Sequence, residues 1–307
     1  MRDGSVRDLA DMHGVRPVVL HDERFAIAAD VIQCAEWIAI EGPDEAEGCW
    51  REQIAVADAA WPIAPESGGV LENLCRDVER AGIPLLNCPA RAVRLAASKL
   101  ATAERLHSCG VPVVPTDPLD ASARPARFPV VAKPDDGAGC DGNRILSSPA
   151  EWDQFVESGP SQGWVFQPLI SGEPLSLSGL FLQGEALLLS CNRQHIAREQ
   201  GRFSLKGCGV NAVADDSGTF ERLLAQVAAA VPELWGYAGV DLILSAHGPL
   251  VLEINPRLTT SYAGLRRSIG MNPAQLVVDL LREGRLPQLD AMTRMAVEIS
   301  LEGIDGR

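Results

Sequence analysis

Val130-Val-Ala-Lys133-Pro-Asp-Asp-Gly137-Ala-Gly139-Cys-Asp-Gly142-Asn-Arg-Ile-Leu146 is the stretch on which the fold turns. It holds a formal G-x-G-x-x-G, the spacing that in a dinucleotide-binding unit opens a helix whose N-terminus meets a pyrophosphate. Here the glycines run into Asn143-Arg-Ile-Leu146, which is strand-like, and a fresh helix cap comes only at Ser148. The order strand, glycine loop, strand argues against a dinucleotide fold. A flexible glycine hairpin can still lay backbone N–H groups over phosphates, and Lys133, at the strand end, would reach the same anion. From the loop alone, a surface hairpin with turn glycines is the simpler reading.

Outward from this loop the chain mixes helices and strands. Ser98 reads as the N-cap of a helix over residues 99–109, closed by Gly110. Strands follow at 111–115 and 129–133. Ser148-Pro149-Ala150-Glu151 supplies a cap, a proline at the first helical position and a capping-box acid, starting a helix that reaches Glu157. A strand over 164–170 meets a turn at Ser171-Gly172. From 175 to 212 the pattern is antiparallel, with Gln183-Gly184-Glu185 as a hairpin loop between 180–182 and 186–190. A helix covers 219–231, and a last one opens at Asn272-Pro273 and stops near Gly284. Before residue 98, short apolar runs at 16–20 (RPVVL), 35–40 (AEWIAI), 60–64 (AWPIA) and 84–87 (PLLN) alternate with helical patterns such as 70–81, which ends at Gly82. This is the rhythm of a small parallel sheet. Its first element is a helix-like stretch (6–12) where a doubly wound unit opens on a strand, so the first strand is expected to be absent or to lie upstream.

A second constellation sits near the C-terminus. Asp241 lies in Gly-Val-Asp241-Leu-Ile-Leu, and Glu253 and Asn255 lie in Leu-Val-Leu-Glu253-Ile-Asn255-Pro-Arg257. If Ala246-His247-Gly248 is a three-residue loop with Gly248 left-handed, Asp241 stands directly opposite Glu253, and strand alternation puts Asn255 on the same face. Carboxylates in apolar runs are costly to bury unless paired or bound to a cation. Such an oxygen set suits Mg²⁺ carrying substrate phosphates. The alternative, a half-exposed hairpin with polar residues outward, is weakened by Ile243 on the face of Asp241.

Composition bounds the rest. The 307 residues are 46% hydrophobic and 22% charged, ordinary for a globular chain, and the net charge of −14 argues against a nucleic-acid partner. No apolar run approaches the ~20 residues of a membrane span, and the charged N-terminus lacks a signal-peptide core. Eight scattered cysteines (34, 49, 75, 88, 109, 140, 191, 208) and five histidines form no zinc or disulfide pattern, which fits a reducing cytoplasm. Of 27 basic residues only Lys99, Lys133 and Lys206 are lysines. A compact ammonium can be what these positions require.

Four features in order carry a resemblance to the ATP-grasp superfamily over roughly residues 60–285: Ser98-Lys99 opening a helix; Val-Val-Ala-Lys133-Pro with its glycine loop; Val165-Phe-Gln167-Pro-Leu-Ile170-Ser-Gly172-Glu173; and Asp241 with Glu253-Ile-Asn255-Pro-Arg257. The resemblance implies an α/β (α+β) ATP-grasp fold with an N-terminal parallel-sheet, pre-ATP-grasp domain lacking its first strand. Its expected divisions are 1–97, 98–165 for a small subdomain with the glycine loop, and 166–307 for a C-terminal subdomain with the Mg²⁺ site. It also implies roles. Lys99 and Lys133 would neutralise ATP phosphates beneath a lid of Gly137, Gly139 and Gly142. Gln167, Pro168, Leu169 and Ile170 would form the hinge against adenine, with Leu252 under the base. Asp241, Glu253 and Asn255 would hold Mg²⁺. Relatives often place a ribose-binding acid where this chain has Pro174; here the acid is Glu173, one residue early, and Gln167 replaces a frequent Glu.

The chemistry so implied is a cytoplasmic, ADP-forming carboxylate–amine ligase with an acyl-phosphate intermediate, its partners a small-molecule acid and amine, and with room for a homodimer. Such a site positions reactants and stabilises charge and needs no side-chain nucleophile. Arg193, Lys206 and Arg257 are the candidates for holding the carboxylate and the transferring phosphoryl group. Residues 57–71, with Ile-Ala-Pro65-Glu66, and 253–266, with Thr259-Thr260-Ser261-Tyr262, resemble the tyramine–glutamate ligases of methanofuran-type cofactor synthesis. By position, Thr259, Thr260 and Ser261 could bind a small polar substrate and Glu66 an amine, with helix capping an equal role for Ser261. A ligase for another amino acid or peptide, and an ATP-binding non-catalytic regulator, remain alternatives.

Overall fold

The computed structural model describes residues 1–120, 124–137, 139, 142–159, 163–289 and 292–301. In chain order the elements are α1 (Arg2–Ala10), β1 (Val18–Asp22), β2 (Glu36–Ile40), α2 (Pro43–Ile54), α3 (Val70–Ala81), α4 (Ala90–Ala97), α5 (Lys99–Ser108), β3 (Asp117–Pro118), β4 (Val130–Pro134), β5 (Arg144–Leu146), α6 (Pro149–Ser158), β6 (Trp164–Pro168), β7 (Gly172–Leu182), β8 (Glu185–Glu199), β9 (Arg202–Val210), α7 (Thr219–Ala230), β10 (Gly236–Ser245), β11 (Gly248–Asn255), α8 (Tyr262–Ile269), α9 (Pro273–Glu283) and β12 (Val297–Ser300).

They form three sheets. β1 and β2 pair in parallel. A four-stranded antiparallel sheet runs in the order β3-β6-β4-β5, and a six-stranded one in the order β11-β10-β7-β8-β9-β12. The glycine loop is the β4–β5 connection, with Val130 facing Leu146 and Ala132 facing Arg144. Its residues Ala138, Cys140 and Asp141 lie outside the described ones.

The large sheet positions the site because its strands alternate faces. Leu175, Leu177, Val240 and Leu242 point to one side and join Phe220, Leu223, Leu224 and Val227 of α7 in the main core. Leu180, Leu189, Cys208 and Tyr237 point to the other, where Leu265, Ile269, Leu276 and Val277 of α8 and α9 cover them. Between these patches, register sets Asp241 opposite Ser176, and Ser176 opposite Asn192. This row forms the polar part of the second face.

Several expected strands are shorter. The runs at 60–64 and 84–87 reduce to one parallel bridge between Ala60 and Leu85, and 111–115 to one between Val113 and Val251. Prolines explain this: Pro62, Pro65, Pro84, Pro112 and Pro115 have no N–H to continue a ladder. The N-terminal parallel sheet therefore has two strands rather than the four expected runs, and the opening helix is Arg2–Ala10 rather than 6–12. Gln183-Gly184, with φ of 50° and 87°, makes a two-residue turn, so Glu185 belongs to β8. Glu151 accepts from the N–H of Ser147 (2.8 Å), one residue before the cap.

Candidate active site

The end of β4 and the start of α5 are tied by Asp135. Its carboxylate accepts from the Ser98 hydroxyl (2.7 Å) and from the N–H of Leu100 (2.8 Å), while Ser98 Oγ caps the N–H of Ala101 (3.0 Å). This knot seats Lys99, 6% exposed, at the mouth of the glycine loop. Its Nζ donates to the carbonyls of Asp135 (3.1 Å) and Gly137, and lies 3.9 Å from Glu253 Oε2. The lysine thus bridges the loop and the acidic hairpin, elements more than a hundred residues apart. Lys133 is buried on β4. Gln167, opposite Val131 on the neighbouring β6, is buried with its amide donating to Thr116 Oγ1 (2.8 Å), and Leu169 N–H bonds the Pro129 carbonyl (3.1 Å).

Asp241 does face Glu253, by a different route from the expected loop. The β10–β11 turn is the two-residue Ala246-His247, with Ser245 paired to Gly248. An irregularity between Asp241 and Leu242 then leaves Leu252 as the extra residue, which brings Glu253 opposite Asp241 and Asn255 opposite Gly239. Burial, and then the neighbouring Glu253, push the Asp241 carboxyl up to about 7. The amide of Gln194 donates to Asp241 Oδ1 (3.0 Å) and works the other way. Two carboxylates forced together on the wall of a cleft, both half-buried, favour positive charge beside them. No group of three or more His, Cys, Asp or Glu able to hold a metal ion occurs among the described residues. The donor set is therefore two carboxylates and an amide, which fits a hard cation whose other ligands are water and phosphate oxygens.

A cleft of about 590 Å³ gathers Gly139, Gly142, Asp241, Glu253, Asn255, Arg257, Thr259, Thr260 and Ser261, with Ser176, Gln194 and Arg202 on its walls. Arg257 is gripped by Glu66, itself 6% exposed: Nη2 donates to Oε2 (3.0 Å), and Nε lies 2.9 Å from Oε1. Oε2 of Glu66 is thereby hydrogen-bonded to Arg257, while Oε1 and Nε lie within ion-pair distance without a hydrogen bond between them. Arg193 and Lys206 stand apart. Register puts Arg193 opposite Leu175, on the main-core face of the sheet, and its guanidinium is paired with Glu173 outside the acidic face. Lys206 is exposed on β9, its carbonyl taken by the Leu301 N–H (2.9 Å). Ser261 precedes α8 without a side-chain cap; its hydroxyl joins those of Ser178, Thr259 and Tyr237. Sequence reading missed Gln194, Ser176 and Tyr237. Alternation offered the signal for Gln194, which shares a face with Asn192 and not with Arg193.

Residues 96–261 match the family model described as ATP-grasp domain, and residues 15–93 the one described as pre ATP-grasp 3 domain. The chain belongs to the ATP-grasp family. It is 30% identical to the tyramine–L-glutamate ligase of Methanocaldococcus jannaschii over 68% of this chain and 58% of that protein. The same enzyme of Methanocaldococcus fervens is 29% identical over 68% and 62%. The chain thus spans about three fifths of the length of these curated relatives. The solved L-amino acid ligase of Bacillus licheniformis superposes with a TM-score of 0.72 at 17% identity, covering 91% of this chain and 70% of that one. That likeness shows a shared fold.

Proposed function

We propose that this ATP-grasp chain is an ADP-forming carboxylate–amine ligase that joins the γ-carboxylate of L-glutamate to the amine of tyramine. The observation that carries the reading is the single cleft shared by the glycine loop, the Asp241–Glu253–Asn255 set and Arg257, with Lys99 linking loop to hairpin. The similarity to tyramine–L-glutamate ligases supports the choice of substrates.

In this reading Lys99 and Lys133 hold the phosphates of ATP, the backbone of Gly137, Gly139 and Gly142 covers them, and Gln167 to Ile170 border adenine with Leu252. Asp241, Glu253 and Asn255 would hold Mg²⁺, which when bound would supply neutralisation of phosphate charge. Arg257, oriented by Glu66, presents a guanidinium fork to the reacting oxyanions. The glutamate carboxylate attacks the γ-phosphorus of ATP, releasing ADP; the amine then attacks the acyl phosphate, forming the amide and releasing phosphate. The protein positions the reactants and stabilises developing charge without a covalent residue.

Incubation with ATP, Mg²⁺, L-glutamate and tyramine tests this. The expected result is ADP release together with a product whose mass is that of both substrates less one water. No ADP release across a panel of amino acids and amines would overturn the ligase reading. Turnover with a different pair would overturn only the substrates.

A further inference from the structure

The floor of the cleft rests on a buried knot of hydroxyls. Tyr237 Oη lies 3.0 Å from Ser178 Oγ, 2.9 Å from Thr259 Oγ1 and 3.3 Å from Ser261 Oγ. Ser261 Oγ is also 3.0 Å from Ser178 and 2.8 Å from Thr259. Beneath them Asn192, fully buried, donates its amide to Ser178 (3.2 Å) and Ser176 (3.3 Å) and accepts the N–H of Asn211 (3.2 Å). Thr259 is held on its other side as well. A Cβ on Gly239 would come within 2.6 Å of the Thr259 methyl, so the absent side chain of Gly239 forms the notch in which Thr259 sits.

The hydrogen-bond count gives the knot a polarity. Each hydroxyl has one proton and two lone pairs. Ser178 accepts from Tyr237 and from Asn192, so it donates to Ser261; with Ser261 donating to Thr259 and Thr259 to Tyr237, all four protons are placed inside the knot. Burial keeps the Tyr237 phenol protonated. In that arrangement Thr259 and Ser261, which line the cleft, each keep a lone pair and spend their proton inside the knot. Such a surface matches an entering N–H and mismatches a carboxylate.

We propose that the Tyr237-centred knot positions Thr259 and Ser261 as a hydrogen-bond acceptor surface for the amine substrate of the cleft. The proposal deepens the ligase reading and rests on it for the meaning of the amine. Tyr237, Ser178 and Asn192 are positioning residues; Thr259 and Ser261 touch the amine.

Calorimetric titration of tyramine into the full chain, loaded with Mg²⁺ and a non-hydrolysable ATP analogue, tests it. Thr259→Val keeps the shape and removes the acceptor. It is expected to weaken tyramine about tenfold while changing affinity for the nucleotide analogue less than about twofold. Thr259→Ser, which keeps the hydroxyl and drops the methyl, is expected to lose no more than about threefold. Tyr237→Phe carries the same test should Thr259→Val fail to fold. The proposal is overturned if wild type does not bind tyramine, if Thr259→Val binds it unchanged, if nucleotide affinity falls in step, or if Thr259→Ser is the weaker of the two. Tyramine binding of the expected pattern without ADP release would retire the ligase reading and leave the acceptor surface standing.

Discussion

Lys133 sits in the strand that leads into the glycine loop and is 7% exposed. A buried ammonium at that point is compact, and a guanidinium is a planar fork of greater reach. Lys133→Arg is therefore expected to lower kcat/KM for ATP about tenfold or more although the charge is kept. Steady-state kinetics with wild-type values in that variant would show the ammonium's shape to be irrelevant. Asp241 gives a pH-dependent counterpart. Its carboxyl is raised from 3.8 to about 7, by burial and by Glu253. A folded-state value above the unfolded one means that the native chain holds this proton more tightly. The group then costs nothing below about pH 4 and destabilises the metal-free protein increasingly as pH rises through that window. Asp241→Asn should raise the Tm of metal-free protein at pH 8 and by less at pH 5, read by scanning calorimetry. A lower Tm than wild type at pH 8 would contradict the account of the acidic pair. Cysteines offer a third case. Burial pushes Cys88 and Cys191 up to about 12 and Cys75 and Cys208 up to about 11. Iodoacetamide at pH 8 should label exposed Cys109 in the native protein and leave these four unmodified, as peptide mass spectrometry would show.

At the level of elements, the reading of the sequence succeeded where a side chain or glycine fixes the backbone locally. α3 runs Val70–Ala81 and ends at left-handed Gly82, α9 is capped by Asn272 with Pro273 at its first position, and Ser98 caps α5. It fell short where tertiary pairing decides. The facing of Asp241 and Glu253 was legible, but the turn that produces it is two residues long and an extra residue at Leu252 restores the register. No local signal distinguishes that from a three-residue loop. The Ala60–Leu85 bridge likewise depends on partners in space and on prolines that truncate the ladder. The hydroxyl knot was hidden for the same reason, since Ser178, Tyr237 and Ser261 come from β7, β10 and the turn before α8. Its packing makes a prediction on β10. Gly239→Ala forces a methyl against Thr259 Cγ2 and is expected to cost about 1–3 kcal/mol of stability, measured by urea denaturation. An unchanged midpoint would mean that Thr259 is free to move aside.

The whole molecule draws its site from pieces spread along the chain. Glu66 comes from the turn before α3, Lys99 from α5, the glycines from the β4–β5 loop, Asp241 from β10, Glu253 from the edge strand β11 and Arg257 from the segment just after it. The N-terminal helix packs on α8 and α9, which cover the face of that sheet bearing the acidic row: Arg266 of α8 pairs with Asp8 (3.1 Å) and Asp11 (2.5 Å), and Asn272 donates to the Asp8 carbonyl (2.7 Å). Among the described residues no helix is long and apolar enough to cross a membrane. What unites these parts is the claim that the glycine loop, both buried lysines and the oxygen trio surround one nucleotide. The crystal structure with Mg²⁺ and ADP tests that most directly. The account predicts the diphosphate beneath Gly137–Gly142 within hydrogen-bond reach of Lys99 and Lys133, with the cation about 2.1 Å from oxygens of Asp241, Glu253 or Asn255. A nucleotide bound elsewhere, or a cation that leaves all three untouched, would contradict it.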